Sequence, residues 1–71
     1  MIKYRAIRRK GDFVWHIEEW DTEFQVASIS NDVYISQAIA ENWVKYHIIP
    51  NSMKPTNEDN GEQGEWINGP L

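Results

Sequence analysis

The stretch that decides the fold is "FVWHIEEW", Phe13 to Trp20. Successive strand side chains point to opposite faces. As a strand, it puts Phe13, Trp15 and Ile17 on one face with Glu19, and Val14, His16 and Glu18 on the other with Trp20. The first face is apolar enough to form a core. The second mixes charge with a terminal tryptophan, and its partner has to be sought elsewhere in the chain.

The preceding residues, "IKYRAIRR" (Ile2 to Arg9), alternate in the same way, with Ile2, Tyr4 and Ala6 on one side and Lys3, Arg5, Ile7 and Arg9 on the other. Between the two runs, "KGD" (Lys10 to Asp12) predicts a hairpin turn in which Gly11 supplies a permissive backbone. With Gly11 and Asp12 as the loop, Lys3 falls opposite Trp20, Arg5 opposite Glu18, Ala6 opposite Ile17 and Ile7 opposite His16. A longer loop shifts these pairs by two and leaves the faces unchanged. The chain bends again at Asp21-Thr22, and "FQVASIS" (Phe24 to Ser30) supplies a third strand. Phe24 and Val26 extend the core face; Ala27 and Ile29 extend the other.

A helix is expected over "SQAIAENWVKYHII", Ser36 to Ile49, with Ser36 as N-cap or a start nearer Asn31 or Asp32. Ile35, Ile39, Trp43 and Tyr46 recur at helical spacing, and Ala40, Val44 and His47 widen the stripe. Pro50 ends the helix, because the residue before a proline is pushed out of helical geometry. The expected fold is therefore α+β: a three-stranded antiparallel meander packed on one α-helix (β-β-β-α) over residues 1–50. Ile39, Trp43 and Tyr46 are expected to cover the core face. Residues 51–71, rich in Asn, Gly, Pro and acids, predict a flexible acidic tail. Its apolar end, 65–71 with Trp66, Ile67 and Leu71, is a candidate docking segment that could lie against Trp20 or Val14.

Composition bounds the rest. Seventy-one residues make one small domain, and without cysteine neither a disulfide nor a thiolate metal site can staple it. Four tryptophans, three tyrosines and two phenylalanines are the expected source of its stability. The absence of cysteine suits a reducing compartment. No stretch resembles a signal peptide or a membrane span, so a cytoplasmic protein is expected. The net charge of −4 is unevenly spread: five of the seven basic residues lie among the first ten. A basic first strand paired with the acidic second strand accounts for that without any outside partner.

Chemistry-bearing motifs are missing. His16 and Glu18 share a face, but two ligands do not make a transition-metal site and nothing completes an HExxH pattern. Glu18 and Glu19 point to opposite faces and cannot act as a carboxylate pair. No nucleophile elbow or phosphate-cradling glycine loop is present, and "NEDNGE" (Asn57 to Glu62) lacks calcium-loop spacing. Neither an enzyme nor a bound cofactor or metal is expected.

A single helix cannot cover both sides of a sheet. The second face, with Ile7, Val14, His16, Glu18, Trp20 and Ile29, is thus expected to stay wet, take the tail through Trp66, or bind another protein, whether a host factor or a second copy. The leading expectation is a small acidic protein-interaction module using that face. Its size and acidity resemble those of accessory or inhibitor proteins carried by phages and mobile elements. The alternatives are a structural subunit of a larger assembly and a DNA-binding module. The β-β-β-α order, with "AIAEN" (Ala38 to Asn42) in the helix, resembles the arm-binding domains of tyrosine recombinases, whose sheet enters a major groove. That resemblance would make Lys3, Arg5, Arg9 and His16 the contacts. Glu18 and Gln25 share the face, however, and carboxylates oppose the counterion release that drives phosphate binding.

Overall fold

The structure is a computed structural model that describes residues 2–46, 52–56 and 61–68. His47, the expected helix end at Ile49 and Pro50, residues 57–60 of the "NEDNGE" run, and Leu71 lie outside the described residues. The elements are β1 (Ile2–Arg8), β2 (His16–Asp21), β3 (Val26–Ser30), α1 (Gln37–Lys45), β4 (Met53–Pro55), β5 (Glu62–Gln63) and β6 (Ile67–Asn68).

All pairings are antiparallel, and the lanes run β4-β3-β2-β1-β5, with β6 sharing the outer edge of β1. The α+β class and the central meander are as expected, but three strands were too few. The difference lies wholly in residues 51–71, which supply β4, β5 and β6 rather than only a polar tail. Pro55 sits in the outermost lane, where a missing N–H costs no ladder bond.

The β1–β2 register matches the expected pairs: Lys3 faces Trp20, Arg5 faces Glu18, Ala6 faces Ile17 and Ile7 faces His16. The regular ladder stops at that last pair, because Arg9 to Trp15 form a wider connection. There the Asp12 N–H donates to the Arg9 carbonyl at 3.0 Å, and Gly11 takes φ +90°. Phe13, expected on the core face, is 93% exposed in this connection. The second turn is held by Asp21, whose Oδ1 accepts from the N–H groups of Glu23 and Phe24 at 2.9 and 3.2 Å. It leaves Phe24 and Val26 exposed and Gln25 at φ +55°.

The core lies between the sheet and α1. Tyr4, Ala6, Trp15 and Ile17 come from the strands, Tyr34 from the β3–α1 connection, and Ala40 and Val44 from the helix, with Ile67 packed alongside. Ser36 caps α1, its Oγ accepting from the Ile39 N–H at 3.2 Å. The helix presents Ala40 and Val44 to the sheet, whereas Ile39, Trp43 and Tyr46, expected there, are exposed. The cause is volume. Tyr4, Trp15 and Tyr34 fill the layer from the sheet side, so the helix approaches closely only along its small residues.

The opposite sheet face is concave. Arg9, just past β1, donates from Nη2 to Thr56 Oγ1 at 3.0 Å, just past β4. In a flat sheet those lanes would be three spacings, roughly 14 Å, apart. The sheet is therefore curved toward this side, and the long Arg9 side chain spans the rest of the distance. Ile7 and Ile29 lie buried on this concave face, apart from the helix-side cluster.

Candidate functional site

The concave face is organised around a buried carboxylate. Glu18 is 4% exposed, and an ionised group so placed must be paired. Its cross-strand neighbour supplies the charge: Arg5 Nε donates to Glu18 Oε1 at 2.5 Å. The same guanidinium donates from Nη1 to Gln63 Oε1 at 3.0 Å, and its carbon stands 4.1 Å from the ring centroid of Trp66. Two strands and two residues of the last segment thus converge on one cation. Arg8 makes a parallel connection on the other face, where it pairs with Glu62 and lies 5.9 Å from the Trp15 ring centroid.

Of the residues expected to form a partner surface on this face, Ile7, Glu18 and Ile29 are buried, and Val14, His16 and Trp20 are half-buried. His16 has an internal role. Its Nδ1 lies 2.9 Å from the Ser30 carbonyl, which can only accept, so Nδ1 carries the proton. Ser30 Oγ in turn accepts from the Ile17 N–H at 3.0 Å, continuing the β2–β3 ladder through a side chain. Trp66 does fold back, but it stacks on Arg5 rather than on Trp20 or Val14. Of the three cations considered for nucleic acid, Arg5 and Arg9 have internal partners, and Lys3 is half-buried opposite Trp20.

A separate exposed apolar surface lies beside α1. Val33, Ile35, Ile39 and Trp43 line a groove of about 720 Å³, with Tyr34 among its lining and Asn31 and Asp32 at its polar end. Ile35 is 80% exposed and Trp43 42% exposed. Trp43 is braced by Tyr34, with ring centroids 5.7 Å apart and planes at 58°, a tilted arrangement favoured by the ring quadrupoles. The groove wall is fixed by main-chain bonds. Trp15 and Tyr34 exchange N–H···O=C bonds of 2.7 and 2.8 Å, and the Asn31 N–H donates to the Ser52 carbonyl at 3.0 Å. The sequence contained a signal for this surface. Read at helical spacing, Ile35, Ile39, Trp43 and Tyr46 make one row and Ala40 and Val44 another, and both rows cannot face one small sheet.

Two tyrosines have perturbed hydroxyls. Burial, reinforced by the charge and hydrogen bond of Glu19, pushes Tyr4 up to about 12. Burial also raises Tyr34, with the Asp32 carboxylate adding to the effect. Among the described residues no three His, Cys, Asp or Glu side chains gather as a metal site, and no helix is long and apolar enough to cross a membrane. Compared with protein-family models, curated proteins and solved structures, the chain matches none of them.

Proposed function

We propose that this chain is a non-enzymatic protein-interaction module that receives its partner in the groove of Val33, Ile35, Ile39 and Trp43. One observation carries the reading: these residues form a contiguous apolar surface on a rigid wall, next to a core that closes without them. Scattered exposed apolar residues need no explanation, but a continuous lined groove favours an occupant. The rigid wall lowers the ordering cost of binding. An accessory or inhibitory role in a cytoplasmic setting suits the small, acidic, cysteine-free composition.

The concave face suits an outside partner less well, since Ile7, Glu18 and Ile29 are reached only by opening the sheet. Nucleic-acid binding is likewise disfavoured, because Arg5, Arg8 and Arg9 are spent on Glu18, Glu62 and Thr56. The test is affinity capture from a host lysate with and without nuclease, using wild type, Ile35→Ser and Trp43→Ala. A stoichiometric protein retained by wild type and lost by both folded variants supports the module. Recovery that requires nucleic acid and ignores both substitutions rejects it.

A further inference from the structure

Among the described residues the groove beside α1 has a single formal charge on its lining, the exposed carboxylate of Asp32. Among those residues no lysine or arginine lines it. The polar end is held in position from both sides: Ser30 Oγ donates to the Asp32 carbonyl at 2.8 Å, and Asn31 Nδ2 donates to Ser52 Oγ at 2.5 Å. The Asp32 backbone is therefore held beside an apolar wall, and its carboxylate is carried at the polar end of the groove. There a partner's cation would shed part of its water and gain more from the pairing than on an open surface. Tyr34, among the same lining residues, already feels the Asp32 charge.

Ile39 and Trp43 lie one helical turn apart on α1, about 6 Å along its axis, and Ile35 stands just before the Ser36 cap on the same groove lining. An amphipathic segment whose apolar residues recur at helical spacing can lie along such a row. A second copy of this chain is a poorer occupant, since each copy carries −4 and would bring a like charge toward Asp32.

We infer that the occupant of the groove is a basic amphipathic segment of another protein, with apolar side chains on Ile35, Ile39 and Trp43 and a lysine or arginine at Asp32. This rests on the groove being the binding surface. Its test is a random-peptide library displayed on phage and panned against the immobilised full chain. Enriched peptides are then synthesised and titrated against wild type, Trp43→Ala, Ile35→Ser and Asp32→Asn, each checked for folding by circular dichroism.

The expected peptides pair apolar anchors with a lysine or arginine. Trp43→Ala should weaken them about ten-fold or more, as for an aromatic anchor. Asp32→Asn should weaken them by about two- to five-fold, the size of a partly exposed ion pair, and the difference should shrink at high salt. Ile35→Ser carries the same test should Trp43→Ala fail to fold. Peptides that need Trp43 or Ile35 but show no basic preference and ignore Asp32→Asn overturn the inference and leave the groove reading standing. Peptides indifferent to all three variants, or no enrichment, overturn both. A Trp43-dependent dimer in sedimentation equilibrium assigns the groove to a second copy and also overturns the inference.

Discussion

The guanidinium of Arg5 lies 4.1 Å from the ring centroid of Trp66, although 61 positions separate the two residues in sequence. The same cation neutralises the buried carboxylate of Glu18 and binds the amide oxygen of Gln63. The last described segment is thus fastened to the sheet through the charge at its centre.

Loss of one partner should be costly because it strands the other. Arg5→Met leaves Glu18 buried without its ion pair and should lower stability by about 3–5 kcal/mol, whereas Arg5→Met combined with Glu18→Leu should recover much of that loss. Trp66→Ala removes the stacking ring while the ion pair remains, and should cost about 1–2 kcal/mol. Urea unfolding followed by far-ultraviolet circular dichroism checks all three, and a double variant no better than Arg5→Met would count against the clasp.

Alkaline stability should depend on Tyr4. Its folded hydroxyl titrates near 12 against an ordinary 10, through burial first and Glu19 second. Below the ordinary value both states are protonated and the native preference is fully present. As pH rises from 10 toward 12 the unfolded chain ionises first, so stability falls. Tyr4→Phe should flatten that slope, and Tyr34, also raised, should account for part of the remainder. Urea midpoints at stepped alkaline pH for the two proteins give the comparison.

Two glycines in the last segment should differ sharply. A methyl group on Gly61 would run into the Arg8 backbone carbonyl, which cannot yield without tearing β5 from β1. A methyl on Gly64 meets the Glu41 Oε2 atom at 2.5 Å, at the free end of a flexible side chain. Gly61→Ala should therefore cost about 2 kcal/mol or more and speed amide exchange along the outer edge of β1, while Gly64→Ala should cost about 1 kcal/mol or less. Equal effects would contradict the described edge.

Left-handed backbone sites give a test of opposite sign. Gln25 at φ +55° bears a conformational cost that glycine avoids, so Gln25→Gly should raise stability by up to about 1 kcal/mol. Gly11 at φ +90° is the reverse: Gly11→Ala has open space for its methyl but the wrong backbone, and should cost about 1 kcal/mol. Thermal melts of the two variants should move in opposite directions.

On α1 and just before it, exposure rather than hydrophobicity should set the cost of substitution. Ile35→Ser, at a site 80% exposed, should change stability by about 0.5 kcal/mol or less. Ala40→Leu, at a site with no exposure, should cost about 1–3 kcal/mol by forcing the helix off the sheet. The reverse order in a urea series would mean that the helix is rotated to its larger row.

These contrasts also mark what the sequence could reveal. Strand alternation gave the faces within the β1–β2 ladder, whose four predicted pairs are all observed, because parity leaves few registers that keep Tyr4, Ala6 and Ile17 together. It misplaced Phe13, Phe24 and Val26, which lie in or beside turns where the alternation breaks. Ser36 announced its helix through capping chemistry. Helix rotation was not legible: the more apolar row turned outward because aromatic volume on the sheet admitted only Ala40 and Val44. Nor were β4, β5 and β6. Strands of two or three residues carry no periodicity, and their places depend on distant partners such as Arg5, Arg8 and Ala27. The charged residues of the candidate face were identified, but their mutual satisfaction became visible only with Gln63 and Trp66 in place.

The lane order has a kinetic consequence. β1 lies between β2, its near neighbour in sequence, and β5 and β6, which follow more than 50 residues later. Hairpin closure is fast, but joining such distant segments carries a large loop entropy and slows the final step. Until then β1 is a bare sheet edge able to accept any matching strand. At high concentration that strand can come from a neighbouring copy, so intermolecular exchange of residues 61–68 is the misassembly to which this topology is most exposed.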